Sequence, residues 1–363
     1  RQVQLYYIVF AMILILTLPM ASDKIAFAHE TLERDRFAPL GGVNKYIRVG
    51  MYVALGVVFA MLLMVCVSRS ELLPDYQMYK NMYYGHGYAA NGRHMEPSFV
   101  WLCQASPSFM SLLLAYALLS VGTHFWGILR NSPNLWLSMF LYVGMYFVLH
   151  DMIQMRASVS AGILLIAVRY IPRRRWYVYF PLVALAILFH SSAVVFIPLF
   201  FLPAKRMYRP FWMALLGVCL IVGLSGVQLG KLVRFLPLEI VNNYLISYGG
   251  ERFVTDSTVG SMRIFMVIVL MIMVYYLPQI QKRYPLATVC VGISICSQAC
   301  FLLLGGMPVM PTRLGELLGT VDILTLAAFP LISRKYYYAL LAVPIAFGIY
   351  NAMTGYVLLT SVA

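Results

Sequence analysis

Two carboxylates and one histidine have the surroundings expected of acid–base groups. Asp75 lies in "PDYQMYKNMYY" and Glu96 in "MEPSF", within one polar stretch that follows an apolar run ending at Val67. A carboxylate at a polar surface can take a proton from a hydroxyl group as a general base. His190, in "AILFHSSAVVF", either assists a reaction or is only hydrogen bonded within a helical bundle. The sequence leaves the choice of base between Asp75 and Glu96 open.

The same segments also have structural interpretations. Pro74 suits the first turn of a helix, where Asp75 would face the positive end of the helix dipole. After His190, Ser191 and Ser192 could cap a half-helix. The free backbone N–H groups at such a helix start attract an anion. We therefore expect an anion near His190.

Arginines at the ends of apolar segments indicate a phosphate site. Arg156 opens the segment "RASVSAGILLIAV", and Arg313 follows "GGMPVMPT". Arg69 and Arg263 lie at comparable boundaries. A guanidinium group can donate two parallel hydrogen bonds to phosphate oxygens, so all four are candidate pyrophosphate ligands. The alternative is that these side chains only extend to a membrane surface.

Three tyrosines in the polar stretch share one face of a predicted helix. Tyr76, Tyr79 and Tyr83 follow a spacing of three and then four residues. Aromatic rings on such a face either pack against neighbouring helices or bind sugar rings. We treat them as candidate glycan ligands.

The elements that carry these residues are predicted to be transmembrane helices. The chain is 62% hydrophobic and only 11% charged. Windows at 5–21 and 49–67 are each close to the ~20 residues that cross a bilayer. Further spans are predicted near 111–129, 134–150, 156–171, 211–228, 262–280, 285–304, 313–332 and 337–358. We expect an all-α polytopic membrane protein of about 11 to 12 transmembrane helices.

Positive charge indicates how these helices are oriented. The segment 176–204 has the basic runs "RRRW" and "AKRMYR" at its two ends. A short helical hairpin with its turn near His190 returns both runs to the cytoplasmic side, as the positive-inside rule favours. Residues 1–363 then form one integral-membrane domain with a cytoplasmic linker at 23–48. The loops at 68–110 and 229–261 are predicted to face the periplasm.

Several classes of protein are disfavoured by composition. The net charge of +14 is explained mainly by cytoplasmic loops, and the chain lacks the basic, aromatic-interleaved domain of a nucleic-acid-binding protein. The six cysteines lie in or beside apolar windows without metal-ligand spacing, so neither a metal site nor a cofactor is predicted. Two further acids remain open: Glu316 could neutralise Arg313, and Asp322 is either a packing group or part of an ion path.

The order of the motifs resembles a known family. The segments "SRSELLPDYQMYKNMYY", "MEPSF", "MRASVSAG", "FHSSA" and "PTRLGE" occur in the order found in the EpsG-like branch of Wzy-type polysaccharide polymerases. The resemblance runs from about residue 50 to about residue 330. Two departures are evident, since Ala-Ser replaces the usual Gln-Gly after Arg156 and Leu-Pro replaces the usual Gly before Asp75.

The resemblance implies a glycosyltransferase with a GT-C-like scaffold in a bacterial cytoplasmic membrane. Its substrates would be oligosaccharide repeat units linked to undecaprenyl pyrophosphate, and its product an O-antigen, capsule or exopolysaccharide chain. Partners would be membrane lipid and a chain-length regulator resembling Wzz. A glycan ligase remains an alternative and would use lipid A core as acceptor. A flippase, the other alternative, would need a continuous polar path and usually an internal repeat.

Overall fold

The computed structural model describes residues 2–20, 45–85, 95–227, 261–305, 307 and 309–360. Within these ranges the chain is helical and contains no strand. The α-helices are α1 Gln2–Met20, α2 Lys45–Val67, α3 Tyr76–Tyr84, α4 Pro97–Ala105, α5 Phe109–Asn131, α6 Leu135–Tyr142, α7 Met155–Ala167, α8 Trp176–Phe189, α9 Arg209–Ser225, α10 Ser261–Tyr275, α11 Leu277–Arg283, α12 Ala287–Leu303, α13 Met310–Gly319, α14 Asp322–Ala328 and α15 Tyr337–Thr360.

Length and hydropathy identify a helical membrane protein. Among the described helices, four are long and apolar enough to cross a bilayer, at Val49–Val67, Phe109–Asn131, Leu135–Ile153 and Tyr337–Gly355. The number rises to six if two bent helix pairs each count as one span. The remaining apolar segments, among them Val3–Leu18 of α1, are 10 to 17 residues long.

Two predicted spans are broken helices. The span predicted at 262–280 bends by 76° between α10 and α11, and the one predicted at 313–332 bends by 48° between α13 and α14. Pro278 lies in the first turn of α11 and has no backbone N–H to continue the ladder of α10, which accounts for the first bend. Each of the two windows is apolar enough on average to be predicted as one span, so the sequence did not predict either helix break.

The segment around His190 folds back on itself. Helix α8 ends at Phe189, and a 3₁₀-helix follows at Ser191–Phe201. The Tyr179 hydroxyl donates to the Phe196 carbonyl at 2.7 Å, and the Arg174 guanidinium donates to the carbonyls of Phe200 and Leu202. The two arms are therefore antiparallel, and the basic residues that flank them lie at the same end.

The hairpin predicts that its two basic ends lie on the same side of the membrane. In a cysteine-free background, Arg173→Cys and Arg206→Cys should both be protected from an impermeant thiol reagent in intact cells, because the hairpin places both at one end, which the positive-inside rule assigns to the cytoplasm. Arg173 is preferred to Arg174 because Arg174 holds the second arm through its hydrogen bonds. Gln104→Cys, an exposed position in α4, should be labelled and serves as the control. Labelling of only one of the two basic positions would contradict the hairpin orientation.

Helices α5 and α7 approach closely, and this approach positions the start of α7. A Cβ atom added at Gly162 would lie 2.7 Å from Thr123 Cβ and 3.0 Å from the backbone nitrogen of His124. Real Cβ atoms essentially never show the first distance, and the second is tighter than nine in ten real Cβ contacts. The absence of a side chain at Gly162 therefore sets the spacing of the two helices.

Gly162→Ala should destabilise the fold by about 1 to 3 kcal/mol, because the methyl group forces α5 and α7 apart. Gly122→Ala is the matched control, since a Cβ there meets nothing within 4 Å. Thermal melting in detergent measures both. Equal melting temperatures of the two variants would show that the close approach has no energetic role.

Candidate functional site

One carboxylate joins three elements at the end of the bundle opposite the basic runs of the hairpin. Glu96 precedes Pro97, the first residue of α4, and forms an ion pair with Arg156 in the first turn of α7. His190 Nδ1 lies 3.4 Å from Glu96 Oε1, although its direction does not meet hydrogen-bond geometry. The backbone N–H of Ser191 donates to the same oxygen at 3.4 Å. Glu96, Arg156 and His190, each with a side chain 13% exposed, form what we call the Glu96 cluster.

The anion expected at the start of the second hairpin arm is therefore the protein's own carboxylate. The expected caps are absent, because neither a Ser191 nor a Ser192 side chain caps this helix start. His190 has an extended backbone, with φ −153° and ψ 117°. The backbone N–H that the turn leaves unpaired points at Glu96 instead.

Arg156 is held in place by aromatic rings as well as by Glu96. Its guanidinium lies 5.5 Å from the ring centre of Tyr79 and 5.6 Å from that of Phe99. A cation over an aromatic face is stabilised electrostatically, more so where water is excluded. The Arg156 Nε atom is buried and has no hydrogen-bond partner in the described residues. This environment differs from that of an arginine that extends to a membrane surface.

The Glu96 cluster keeps its carboxylate ionised. Burial raises the pKa of Glu96, but the interactions with His190 and Arg156 outweigh burial and lower the pKa to about 2. The cluster therefore stabilises the folded state above the ordinary glutamate pKa of ~4.3, and this contribution is lost as the pH falls through about 2. A carboxylate with so low a pKa is also a weak proton acceptor at neutral pH.

Asp75 has the opposite properties. Surrounding protein partly removes water from its carboxyl group, and this desolvation raises the pKa. The positive charges of Arg156 and Arg313 lower the pKa by less, so it stays above the ordinary value. The residue is nevertheless exposed. Its backbone adopts the left-handed conformation at φ 66°, which is uncommon for a non-glycine residue and tolerated best by Asp and Asn.

The helix start differs from the sequence expectation. Helix α3 begins at Tyr76, so Pro74 lies before the helix and not in its first turn. The Asp75 side chain caps no backbone N–H. Its carboxylate is therefore not used by the helix and is accessible from outside.

The three tyrosines lie against protein and do not form an open face. Tyr76 and Tyr79 are 6% and 4% exposed. The ring centre of Phe109 lies 5.3 Å from that of Tyr76 and 5.9 Å from that of Tyr83. The Tyr83 hydroxyl also donates to the Ser106 carbonyl at 2.9 Å. The packing alternative therefore describes this geometry, and the expectation of a tyrosine face open to sugars is not met.

Arg69 is engaged by helix ends. Its Nε donates to the carbonyl of Cys66 at 2.6 Å, in the last turn of α2, and its Nη1 donates to the carbonyl of Met152 at 2.8 Å. The residue is 6% exposed. A cation at the carboxyl ends of helices stabilises the unpaired carbonyls and the dipole. Arg69 therefore joins the end of α2 to the end of the segment at Val143–Ile153, and the structure does not place it as an open ligand.

The remaining two candidate arginines belong to a neighbouring group around Glu316. Glu316 Oε2 accepts a hydrogen bond from Gln154 Nε2 at 3.1 Å, and the charges of Arg263 and Arg313 both act on Glu316. The Arg263 guanidinium lies 3.2 Å from the ring centre of Phe301. The positive charge of Arg313 also lowers the pKa of Asp75. Arg313 therefore interacts electrostatically with both Asp75 and Glu316. Arg263 is not brought to the Glu96 cluster.

A buried hydrogen-bond network next to these groups was not predicted from the sequence. The Asp151 carboxylate accepts from the Tyr142 hydroxyl at 2.9 Å and from the Ser158 hydroxyl at 3.0 Å, and the His124 ring stacks on Tyr142 at 4.7 Å. Asp151 and His124 are fully buried. The acid within the apolar run "YFVLHDMI" could have indicated this network, because a charge is costly inside a membrane helix and needs partners there.

An unusual backbone places this acid. Helix α6 continues as a π-helix from Val143 to Ile153, and the Gln154 N–H donates to the Leu149 carbonyl at 2.9 Å, five residues back. Such helices are rare and occur often at functional sites. The sequence windows cannot distinguish this geometry from an α-helix.

Some predicted regions lie outside the described residues. They are most of the linker at 23–48, the tip of the first loop at 86–94, and nearly all of the second loop at 229–261.

Comparison with known protein families identifies a match over most of the chain. The model of the EpsG family matches residues 52–361, a range that includes the Glu96 cluster, Asp75 and the group around Glu316. No curated protein and no solved structure matches the chain significantly.

Proposed function

Since the chain belongs to the EpsG family, we propose that it polymerises oligosaccharide repeat units linked to undecaprenyl pyrophosphate. The growing glycan leaves its lipid pyrophosphate and is transferred to the non-reducing end of a new lipid-linked unit. The family supports a membrane protein that makes polysaccharide chains. The reaction, its lipid carrier and its location at the periplasmic face of a bacterial cytoplasmic membrane are our proposals.

One observation carries the proposal: an exposed carboxylate with a raised pKa lies within electrostatic reach of two arginines. Glycosyl transfer from a pyrophosphate needs a base for the acceptor hydroxyl and positive charge for the leaving group. Asp75 meets the first need, and Arg156 and Arg313 meet the second. Glu96 fits the role of base poorly because Arg156 and His190 hold its pKa at about 2.

In the proposed reaction the acceptor hydroxyl gives its proton to Asp75 as its oxygen bonds to the anomeric carbon of the growing chain. The bond from that carbon to the pyrophosphate oxygen breaks, and its electron pair leaves with undecaprenyl pyrophosphate. Arg156 and Arg313 stabilise the charge that develops on the leaving group. His190 contacts the pyrophosphate from the hairpin turn.

The scaffold proposed for this reaction is GT-C-like. It would have about 11 to 12 spans in which the shorter apolar helices also cross the bilayer. The loops at 68–110 and 229–261 would then face the periplasm, where the glycan grows. A chain-length regulator resembling Wzz would act beside the polymerase.

The test is direct. Purified protein incubated with lipid-linked repeat units should give a ladder of longer products on a gel, and Asp75→Asn should extend them about 100-fold or more slowly. Lipid A core added as a competing acceptor should not be modified. Modification of lipid A core without a ladder would replace the polymerase with a ligase.

A further inference from the structure

Three nitrogen groups from two different elements lie around the Glu96 carboxylate. The Arg156 guanidinium binds one carboxylate oxygen, while His190 Nδ1 and the Ser191 backbone N–H both lie 3.4 Å from the other. Two of the three groups come from the hairpin turn and one comes from α7. No residue of α4 after Glu96 takes part in these contacts.

An arginine, a histidine and the N–H group at a helix start are also the donors that proteins use to bind phosphate. A carboxylate presents two oxygens to such donors, as a phosphate group presents two of its own. From this correspondence we infer that Glu96 occupies a phosphate site as a built-in anion, and that a substrate phosphate displaces it. The inference rests on the proposed function for the identity of that phosphate, the pyrophosphate of the lipid-linked donor.

Glu96 is attached in a way that permits displacement. It precedes α4, has φ −58° and ψ 143°, and caps no backbone N–H with its side chain. A change of side-chain rotamer therefore removes the carboxylate without unwinding α4. The other side of the site does not depend on Glu96 alone, because Tyr79 and Phe99 also flank the Arg156 guanidinium.

The exchange has a physical consequence for the site. In the structure the positive charge of Arg156 is balanced by Glu96, so the site does not attract anions as an unpaired arginine would. A phosphate group must compete with a carboxylate that is already in place. The apparent affinity for phosphate equals the intrinsic affinity multiplied by the fraction of molecules in which the site is open. Glu96 therefore makes the site selective for a phosphate that also gains contacts elsewhere, such as one carried on a lipid and a glycan.

The inference is tested by pyrophosphate binding, measured by isothermal titration on the detergent-solubilised full chain. Glu96→Gln should bind inorganic pyrophosphate about tenfold more tightly than the parent, because the competing charge is gone. Glu96→Asp, which keeps the charge but is one methylene shorter, should give a smaller gain and provides a second variant if Glu96→Gln folds poorly. The matched control is Glu71→Gln, which removes an exposed acid whose only described ion pair is with Lys80.

Arg156→Lys distinguishes this site from general attraction to a basic protein. The gain of Glu96→Gln should disappear when it is combined with Arg156→Lys. Unchanged or weaker binding by Glu96→Gln and Glu96→Asp, a gain equal to that of Glu71→Gln, or a gain that survives Arg156→Lys would each overturn the inference. Pyrophosphate binding is measured without any glycan, so an absent product ladder would overturn the polymerase and leave this result standing.

Discussion

Asp75→Asn should slow chain extension by about 100-fold or more while binding of the lipid-linked acceptor is kept. A positioned general base contributes roughly 100- to 10,000-fold to a rate, and an amide cannot take the proton. Asparagine has nearly the same shape and also tolerates the left-handed backbone found at this position. The loss should therefore appear in the rate of extension and not in the melting temperature.

The pH profile provides an independent check on Asp75. Because surrounding protein partly desolvates the Asp75 carboxyl and raises its pKa, the basic form is lost on acidification at a higher pH than for an ordinary aspartate, whose pKa is ~3.9. The rate should fall as the pH falls through that raised pKa. This acidic limb should be missing from the residual activity of Asp75→Asn.

Glu96→Gln and Glu71→Gln are the controls for this experiment. Glu71 lies in the same loop, is exposed and pairs with Lys80, so its amide should extend chains at the parent rate. Glu96→Gln should stay within about tenfold of the parent, since its carboxylate is a weak base. Extension by Asp75→Asn at the parent rate together with a loss in Glu96→Gln would transfer the base to Glu96.

Arg156→Lys should lower polymerisation by about 100-fold, the effect of removing one preset donor to a developing negative charge. Lysine keeps the positive charge but lacks the planar fork that binds phosphate oxygens in pairs and stacks between Tyr79 and Phe99. The expected loss appears both in pyrophosphate affinity and in the rate. Arg173→Lys, an exposed change at the opposite end of the hairpin, should have no effect.

A double-mutant cycle separates the two roles of Arg156. If the arginine served only to hold Glu96, Arg156→Lys would do no further harm in the Glu96→Gln background. A ligand for the leaving group should instead lower the rate in both backgrounds. Equal rates for Glu96→Gln and for the double variant would contradict the proposed role.

The sequence by itself determined the class of protein and the residue types of the site. Apolar windows near the bilayer length predicted membrane helices because hydrophobic burial in lipid depends on composition and length more than on neighbours. The order of short motifs identified the EpsG family, and the family match confirmed it. The basic runs around 176–204 favoured a hairpin because charge asymmetry is also a local property.

Only the tertiary structure decided what each candidate residue contacts. Glu96 and His190 are 94 positions apart, and no periodicity relates them, yet they lie 3.4 Å from each other. Asp75 and Glu96 carry the same functional group, and only their surroundings shift the two pKa values in opposite directions. A pKa depends on which charges and how much solvent surround the group, and the packing of distant helices sets both.

The same reason explains the helix geometry and the buried acid that the sequence did not reveal. The π-helix at Val143–Ile153 and the bend between α13 and α14 lie in segments that are apolar on average, and average hydropathy carries no signal for backbone geometry. Asp151 accepts a hydrogen bond from Ser158 of α7, and Arg69 donates one to the Met152 carbonyl of the π-helix. The sequence therefore determined which side chains enter the membrane, and the packing of the helices decided which of them are already paired and which remain available to a substrate.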